Sequence, residues 1–174
     1  ALGGMLTSLA TNYNRRNKDV RLYELANVYL PKQLPLTELP DERVQLTMGM
    51  YGEGDFYAMK GVIEEILTRL SLKGTVTYDP AAQKSFLHPG RQAKVIYEGK
   101  EIAYFGEVHP TVLKNFAIGQ RAYVAVVDLA ELIAMPKEAV KYTGVAKFPA
   151  MTRDISLMMK KELLAGQVEE VIRK

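Results

Sequence analysis

The chain has 174 residues, 48% of them hydrophobic, enough to bury one ordinary core with a small second unit beside it. It has no cysteine, which excludes disulfides and thiolate metal ligands, and its longest apolar runs fall far short of the roughly 20 residues a membrane-spanning helix needs. The net charge of +3 comes from Lys and Arg spread along the chain, a weak pointer to nucleic acid that decides nothing alone. The opening Ala1-Leu2-Gly3-Gly4-Met5 puts no basic segment before a long apolar stretch, so no secretory signal is expected, and a reducing, cytoplasmic setting fits the composition.

In chain order, Leu2, Leu6 and Leu9 recur at near-helical spacing and predict an amphipathic helix up to Asn14. Val20 to Leu30 is rich in β-branched and aromatic residues and stops at Pro31, which suits a long strand. Residues 31 to 43 hold Pro31, Pro35 and Pro40 among charges and read as a loop. Val44, Leu46, Met48 and Met50 alternate with Gln45, Thr47 and Gly49, the pattern of a half-buried strand. Asp55 then caps a helix whose apolar stripe is Phe56, Met59, Ile63, Ile66, Leu67 and Leu70, with Glu65 and Arg69 paired on its outer face and Gly74 beyond its end.

Ala93 to Tyr97 and Glu101 to Phe105 flank Glu98-Gly99-Lys100, predicting a hairpin in which Gly99 takes the positive φ. Pro110 suits the first turn of a short helix through Phe116. Ala122 to Val127 is apolar on both faces, as a central strand is, and Asp128 with Glu131 resembles a capping box. The pattern is α+β, with a boundary near Lys141. Beyond it, Ile155, Leu157 and Met159 predict one strand, and Val168, Val171 and Ile172 one helical face. Such a pair cannot bury a core alone, so it is expected to dock on the first domain or exchange between chains, allowing self-association.

The two histidines both precede proline, in Leu87-His88-Pro89-Gly90-Arg91 and Gly106-Glu107-Val108-His109-Pro110. The hairpin brings them to one end of the sheet, where His88, His109 and Glu107 would be the minimum set for a small metal- or ligand-binding site. Loop-anchoring hydrogen bonds are the competing reading. Tyr51-Gly52-Glu53-Gly54-Asp55 lies between strand and helix but has no third fingerprint glycine and no Gly-Lys-Ser/Thr, and its acids repel phosphate, so it reads as a turn with a cap. No nucleophile elbow is present. Basic residues beside aromatics at Tyr13-Asn14-Arg15-Arg16 and Lys147-Phe148 suit either an RNA backbone or plain solvation.

Five segments follow one another: Asn12-Tyr13-Asn14-Arg15 with Arg21-Leu22-Tyr23-Glu24-Leu25, then Asp55-Phe56-Tyr57-Ala58-Met59-Lys60-Gly61, Leu87-His88-Pro89-Gly90-Arg91-Gln92-Ala93 and Gly106-Glu107-Val108-His109-Pro110. This ordered series resembles the bacterial phenylalanyl-tRNA synthetase beta subunit. The tail from Lys147-Phe148-Pro149 to Arg153-Asp154-Ile155-Ser156-Leu157 resembles the opening of that subunit's ferredoxin-like, anticodon-binding domain. The resemblance implies a class II aminoacyl-tRNA synthetase-like core over residues 1–141, an antiparallel sheet flanked by helices. Residues 142–174 would then supply the first strand and helix of a truncated ferredoxin-like domain. It further implies packing against the alpha subunit and placement of tRNA(Phe), with ATP and Mg2+ used by the complete enzyme but no cofactor bound and no catalysis by this piece. Arg21 with Glu24 is the nearest echo of the arginine-bearing second motif of class II enzymes, and no late Gly-x-Gly-x-x-Arg element is present. Asn12, Arg15, Glu24, Asp55, Lys60, Gly61, His88, Gly90, Arg91, Glu107 and His109 carry the resemblance as structural or interface residues, and Lys147 and Arg153 as RNA contacts.

Overall fold

The computed structural model describes residues 1–72, 74–142 and 144–172. Close contacts divide the chain into Ala1–Val140 and Lys141–Lys174. The first unit is a six-stranded antiparallel sheet in the order β1-β2-β6-β5-β4-β3, with helices on both faces. Its strands are β1 (Val20–Leu30), β2 (Asp41–Tyr51), β3 (Val76–Asp79), β4 (Leu87–Tyr97), β5 (Lys100–Val108) and β6 (Ala122–Asp128). Its helices are α1 (Leu2–Asn14), α2 (Phe56–Arg69), α3 (Pro110–Asn115) and α4 (Leu129–Ala134).

The last strand occupies the middle of the sheet. β6 pairs with β2 on one side and β5 on the other, so every residue from Ala122 to Val127 is buried. Alternate residues face opposite layers: Tyr123, Ala125 and Val127 join Met59, Ile63, Phe105 and Leu132 under α2 and α4. Ala122 and Val124 join Leu6, Leu9, Tyr51 and Leu113 under α1 and α3. Two-sided burial is why this stretch carries no polar alternation.

Local chemistry sets the ends. The Asp55 side chain accepts from the Ala58 N–H at 2.7 Å and opens α2, while Asp128 accepts from the Glu131 N–H at 3.3 Å and opens α4. α2 stops as Ser71 takes a positive φ of 49°, ahead of the expected Gly74. The hairpin turn places Glu98 at φ 47° and Gly99 at φ 81°, the pair of positive values a tight two-residue turn needs. Two features depart from expectation. β2 begins at Asp41, inside the stretch read as loop, and the short edge strand β3 has no counterpart in the sequence reading.

The second unit corrects another expectation. No strand forms over Asp154–Met159: Ile155, Leu157 and Met159 are exposed and, among the described residues, the unit's regular structure is the helix α5 (Ala165–Ile172). Alternation alone does not make a strand, because extended backbone needs neighbouring N–H and C=O groups and a surface for its apolar side. No described residue of this unit is buried.

Candidate functional site

Pairings of Val20 with Tyr51, Tyr51 with Ala122, Tyr123 with Glu107, and Val108 with Leu87 put the start of β1, β4 and β6 and the finish of β2 and β5 at one end of the sheet. Residues far apart in sequence therefore meet there: Asn12, Arg15, Asp55, His88, Gly90, Arg91, Glu107 and His109. Glu24 sits midway along β1 opposite Thr47, and Lys60 and Gly61 lie past the first turn of α2.

Most of these side chains are spent on shaping the backbone. Asn12 donates to the Ser8 carbonyl at 2.9 Å, and its side-chain oxygen accepts from Asn17 Nδ2 at 2.8 Å. The Tyr51 hydroxyl donates to the Asn17 carbonyl at 2.9 Å, so the exit of α1 is tied to the end of β2. Arg15 caps α1 with an exposed side chain. His88 Nδ1 accepts from the Gly90 N–H at 3.1 Å, and His109 Nδ1 accepts from the Thr111 N–H at 3.2 Å, capping α3. Lys60 pairs with Glu64 at 3.2 Å and lies 4.7 Å from the centre of the Tyr78 ring. Burial, then the neighbouring Glu64, pushes the Tyr78 hydroxyl well above its usual range. Gly61 has open space where a side chain would stand.

The charged centre is Glu107, only 2% exposed. Arg91 Nε donates to its Oε2 at 2.5 Å and Nη2 to its Oε1 at 3.0 Å, a bidentate fork, and Arg121 Nε stands 3.9 Å from Oε1. Burial alone would raise the Glu107 carboxyl; the Arg91 bonds and charge, with Arg121 and His88, hold it below its ordinary 4.5. The Glu107 bond in turn raises Arg91. Burial first, then the Glu107 charge, raises the Tyr123 hydroxyl, against which Arg121 acts. Gly106 makes the arrangement possible: a Cβ there would stand 2.5 Å from the Arg91 carbonyl oxygen and 2.9 Å from Gln92 Cα. The register shift in β4 between Leu87 and Gln92 carries Arg91 over this glycine.

Beside the pair opens a cleft of about 760 Å³, lined by Tyr13, Arg91, Glu107, Pro110, Leu113, Lys114, Ala117, Ile118, Gly119, Gln120 and Arg121. Tyr13, Lys114 and Arg121 were not singled out by sequence for this cleft, and no local pattern announces them. Arg91 and Glu107 were each named from sequence but not as a pair, although counting back from the turn at Glu98-Gly99 brings them within one residue of facing each other.

The metal- or ligand-binding reading of His88, His109 and Glu107 is not supported. His88 and His109 each give Nδ1 to a backbone N–H, Glu107 is held by Arg91, and among the described residues no group of three His, Cys, Asp or Glu is placed to hold a metal ion. Lys147 and Arg153 lie in the second unit, both exposed; Arg153 Nη1 donates to the Thr152 carbonyl at 3.2 Å. Among the described residues no helix is long and apolar enough to cross a membrane.

Solved structures with this arrangement include pyrrolysyl-tRNA synthetase of Desulfitobacterium hafniense, at TM-score 0.58 and 14% identity over 76% of this chain and 48% of that one. A second structure of the enzyme gives TM-score 0.57 at 13% identity, over 75% and 46%. The fold is thus that of a class II synthetase-like core. Curated relatives are phenylalanine–tRNA ligase beta subunits: 38% identical in Clostridium tetani and 35% in Clostridium acetobutylicum, each over 99% of this chain, and 34% in Bacillus subtilis over 97%. The chain spans 22% of the length of each of these relatives. Residues 1–129 match the family model for the phenylalanyl tRNA synthetase beta chain CLM domain, and to that family the chain belongs.

Proposed function

We propose that the first unit is an assembly module of phenylalanine–tRNA ligase: it packs against the alpha subunit and helps place tRNA(Phe), while that subunit carries the ATP- and Mg2+-dependent chemistry in the cytoplasm. The observation that carries this reading is the state of β1. It is an edge strand of 11 residues without proline, it presents Tyr23, Leu25 and Tyr29 to solvent, and α2 lies over β5 and β6 instead. The loop after it exposes Leu34, Leu36 and Leu39. An open edge with apolar side chains invites a partner, and without one it is a surface on which copies of the chain self-associate. Arg21 and Glu24 share this strand with Tyr23 and Leu25, so the segment nearest the arginine-bearing second motif carries aromatic and aliphatic contact surface.

The second unit reads as the opening of the anticodon-binding, ferredoxin-like domain, with Lys147 and Arg153 as RNA contacts. The resemblance of its Phe148 to Leu157 segment supports this, and its strand would form only against further strands.

Capture by purified alpha subunit tests the module. The unchanged chain should be retained, and the pair Tyr23→Asp, Leu25→Lys should lose retention at least tenfold while melting as before. Equal retention of the variant, or ATP-dependent phenylalanyl-adenylate formation by the isolated chain, would sink the reading.

A further inference from the structure

The cleft at the sheet end has an excess of positive charge that the fold does not consume. Its charged lining is Arg91, Lys114 and Arg121 against Glu107 alone, three positive groups minus one negative, or +2. Glu107 is buried, and both its oxygens already accept from the Arg91 fork. Arg121 reaches it only at 3.9 Å with its side chain 70% exposed, and Lys114, in the last turn of α3, has no ion pair among the described residues. Buried Glu107 therefore acts as a fixed anchor that orients Arg91 while leaving the rim cationic.

Shape and surroundings narrow the ligand. Gly119 keeps the wall low: a Cβ there would stand 2.5 Å from the Tyr13 hydroxyl oxygen, so that phenol extends across the glycine at the cleft's edge. Two more cations, Arg15 and Arg16, follow directly at the exit of α1, both exposed. A small anion would engage only the cleft. A chain of phosphates engages cleft and α1 exit together, with Tyr13 offering a ring edge beside them. We infer that this cleft binds the phosphodiester backbone of RNA, with Arg121 and Lys114 as the contacting cations and the Arg91–Glu107 pair as their support. The inference rests on the tRNA-placing role above and names the surface that performs it.

The test uses the whole 174-residue chain and a fluorescein-labelled RNA hairpin, read by anisotropy at about 50 and about 200 mM salt. The unchanged chain should bind with a steep loss of affinity between the two salts. Arg121→Ala with Lys114→Ala should weaken binding at least tenfold at the lower salt and flatten the slope of log K against log salt by about 0.7–0.9 per lost contact. Arg121→Lys should retain most binding. The charge-matched control Lys100→Ala with Arg69→Ala, at the β4–β5 turn and on the outer face of α2, should bind like the unchanged chain. Lys114→Ala alone gives the same direction if the double variant melts early. Equal weakening by the control, no RNA binding by the unchanged chain, or equal displacement by polyglutamate and by unlabelled RNA would each overturn the inference. Capture by the alpha subunit, measured on the same variants, should be unchanged. Undiminished RNA binding by Arg121→Ala with Lys114→Ala, with capture intact, refutes the cleft alone, and failure of the unchanged chain to be captured, with RNA binding intact, refutes the assembly role alone.

Discussion

Residues 122–127 and 154–159 are both short apolar-rich segments, and they end differently. The first lies between two strands, and each of its residues is buried. The second alternates as a half-buried strand should, yet forms none and leaves Ile155, Leu157 and Met159 in solvent. Pattern supplies the capacity for a strand; a neighbouring backbone and an apolar surface supply the free energy.

The sharpest way to break this contrast is to truncate one large ring in each unit. Phe105 is fully buried and its ring centre lies 4.9 Å from that of Phe56, whereas Phe148 is 76% exposed. Phe105→Ala should cost about 3–5 kcal/mol in denaturant melts. Phe148→Ala should stay within about 0.5 kcal/mol, and a larger loss would mean that the second unit is packed after all. Next in size is Gly106→Ala, which forces a methyl against the Arg91 backbone: about 1–3 kcal/mol by the same melts.

Glu107→Gln should cost about 2 kcal/mol near neutral pH, since a charged fork is lost from a buried carboxylate. The folded-state carboxyl lies below its ordinary 4.5, so its contribution is fully present above that value and is lost as pH falls through the lower folded pKa. The acid limb of a stability–pH curve should therefore flatten in Glu107→Gln, and an unchanged limb would contradict the pairing. Smallest is Asp55→Ala, which removes the cap of α2 at about 1 kcal/mol, seen as a lower melting temperature.

Much of the first unit was legible because its determinants are local. The Asp55 cap, the Glu98-Gly99 turn, the Asp128 cap and the two-sided apolarity of β6 are each set within a few residues. β3 was not, because its 4 residues at a sheet edge carry too short a pattern to stand out. The candidate site was half legible. Hairpin register brings Arg91 towards Glu107, but Tyr13, Lys114 and Arg121 arrive through strand order, which no spacing encodes. The histidines misled because a His-Pro corner on a sheet end suits a cap as well as a ligand, and both imidazoles cap backbone N–H groups.

Placing β6 between β2 and β5 also sets a timetable. The hairpin β1–β2 and the three strands β3, β4 and β5 share no ladder with each other; the last strand is the seam that joins them. A ribosome that has not yet released residue 128 therefore holds two half-sheets, each with a raw edge exposed to other nascent chains. Closure comes late and through pairings distant in sequence, the slow step for a sheet of this kind. Substitutions that weaken β6 should therefore reduce the yield of folded chain before they alter any property of the finished molecule.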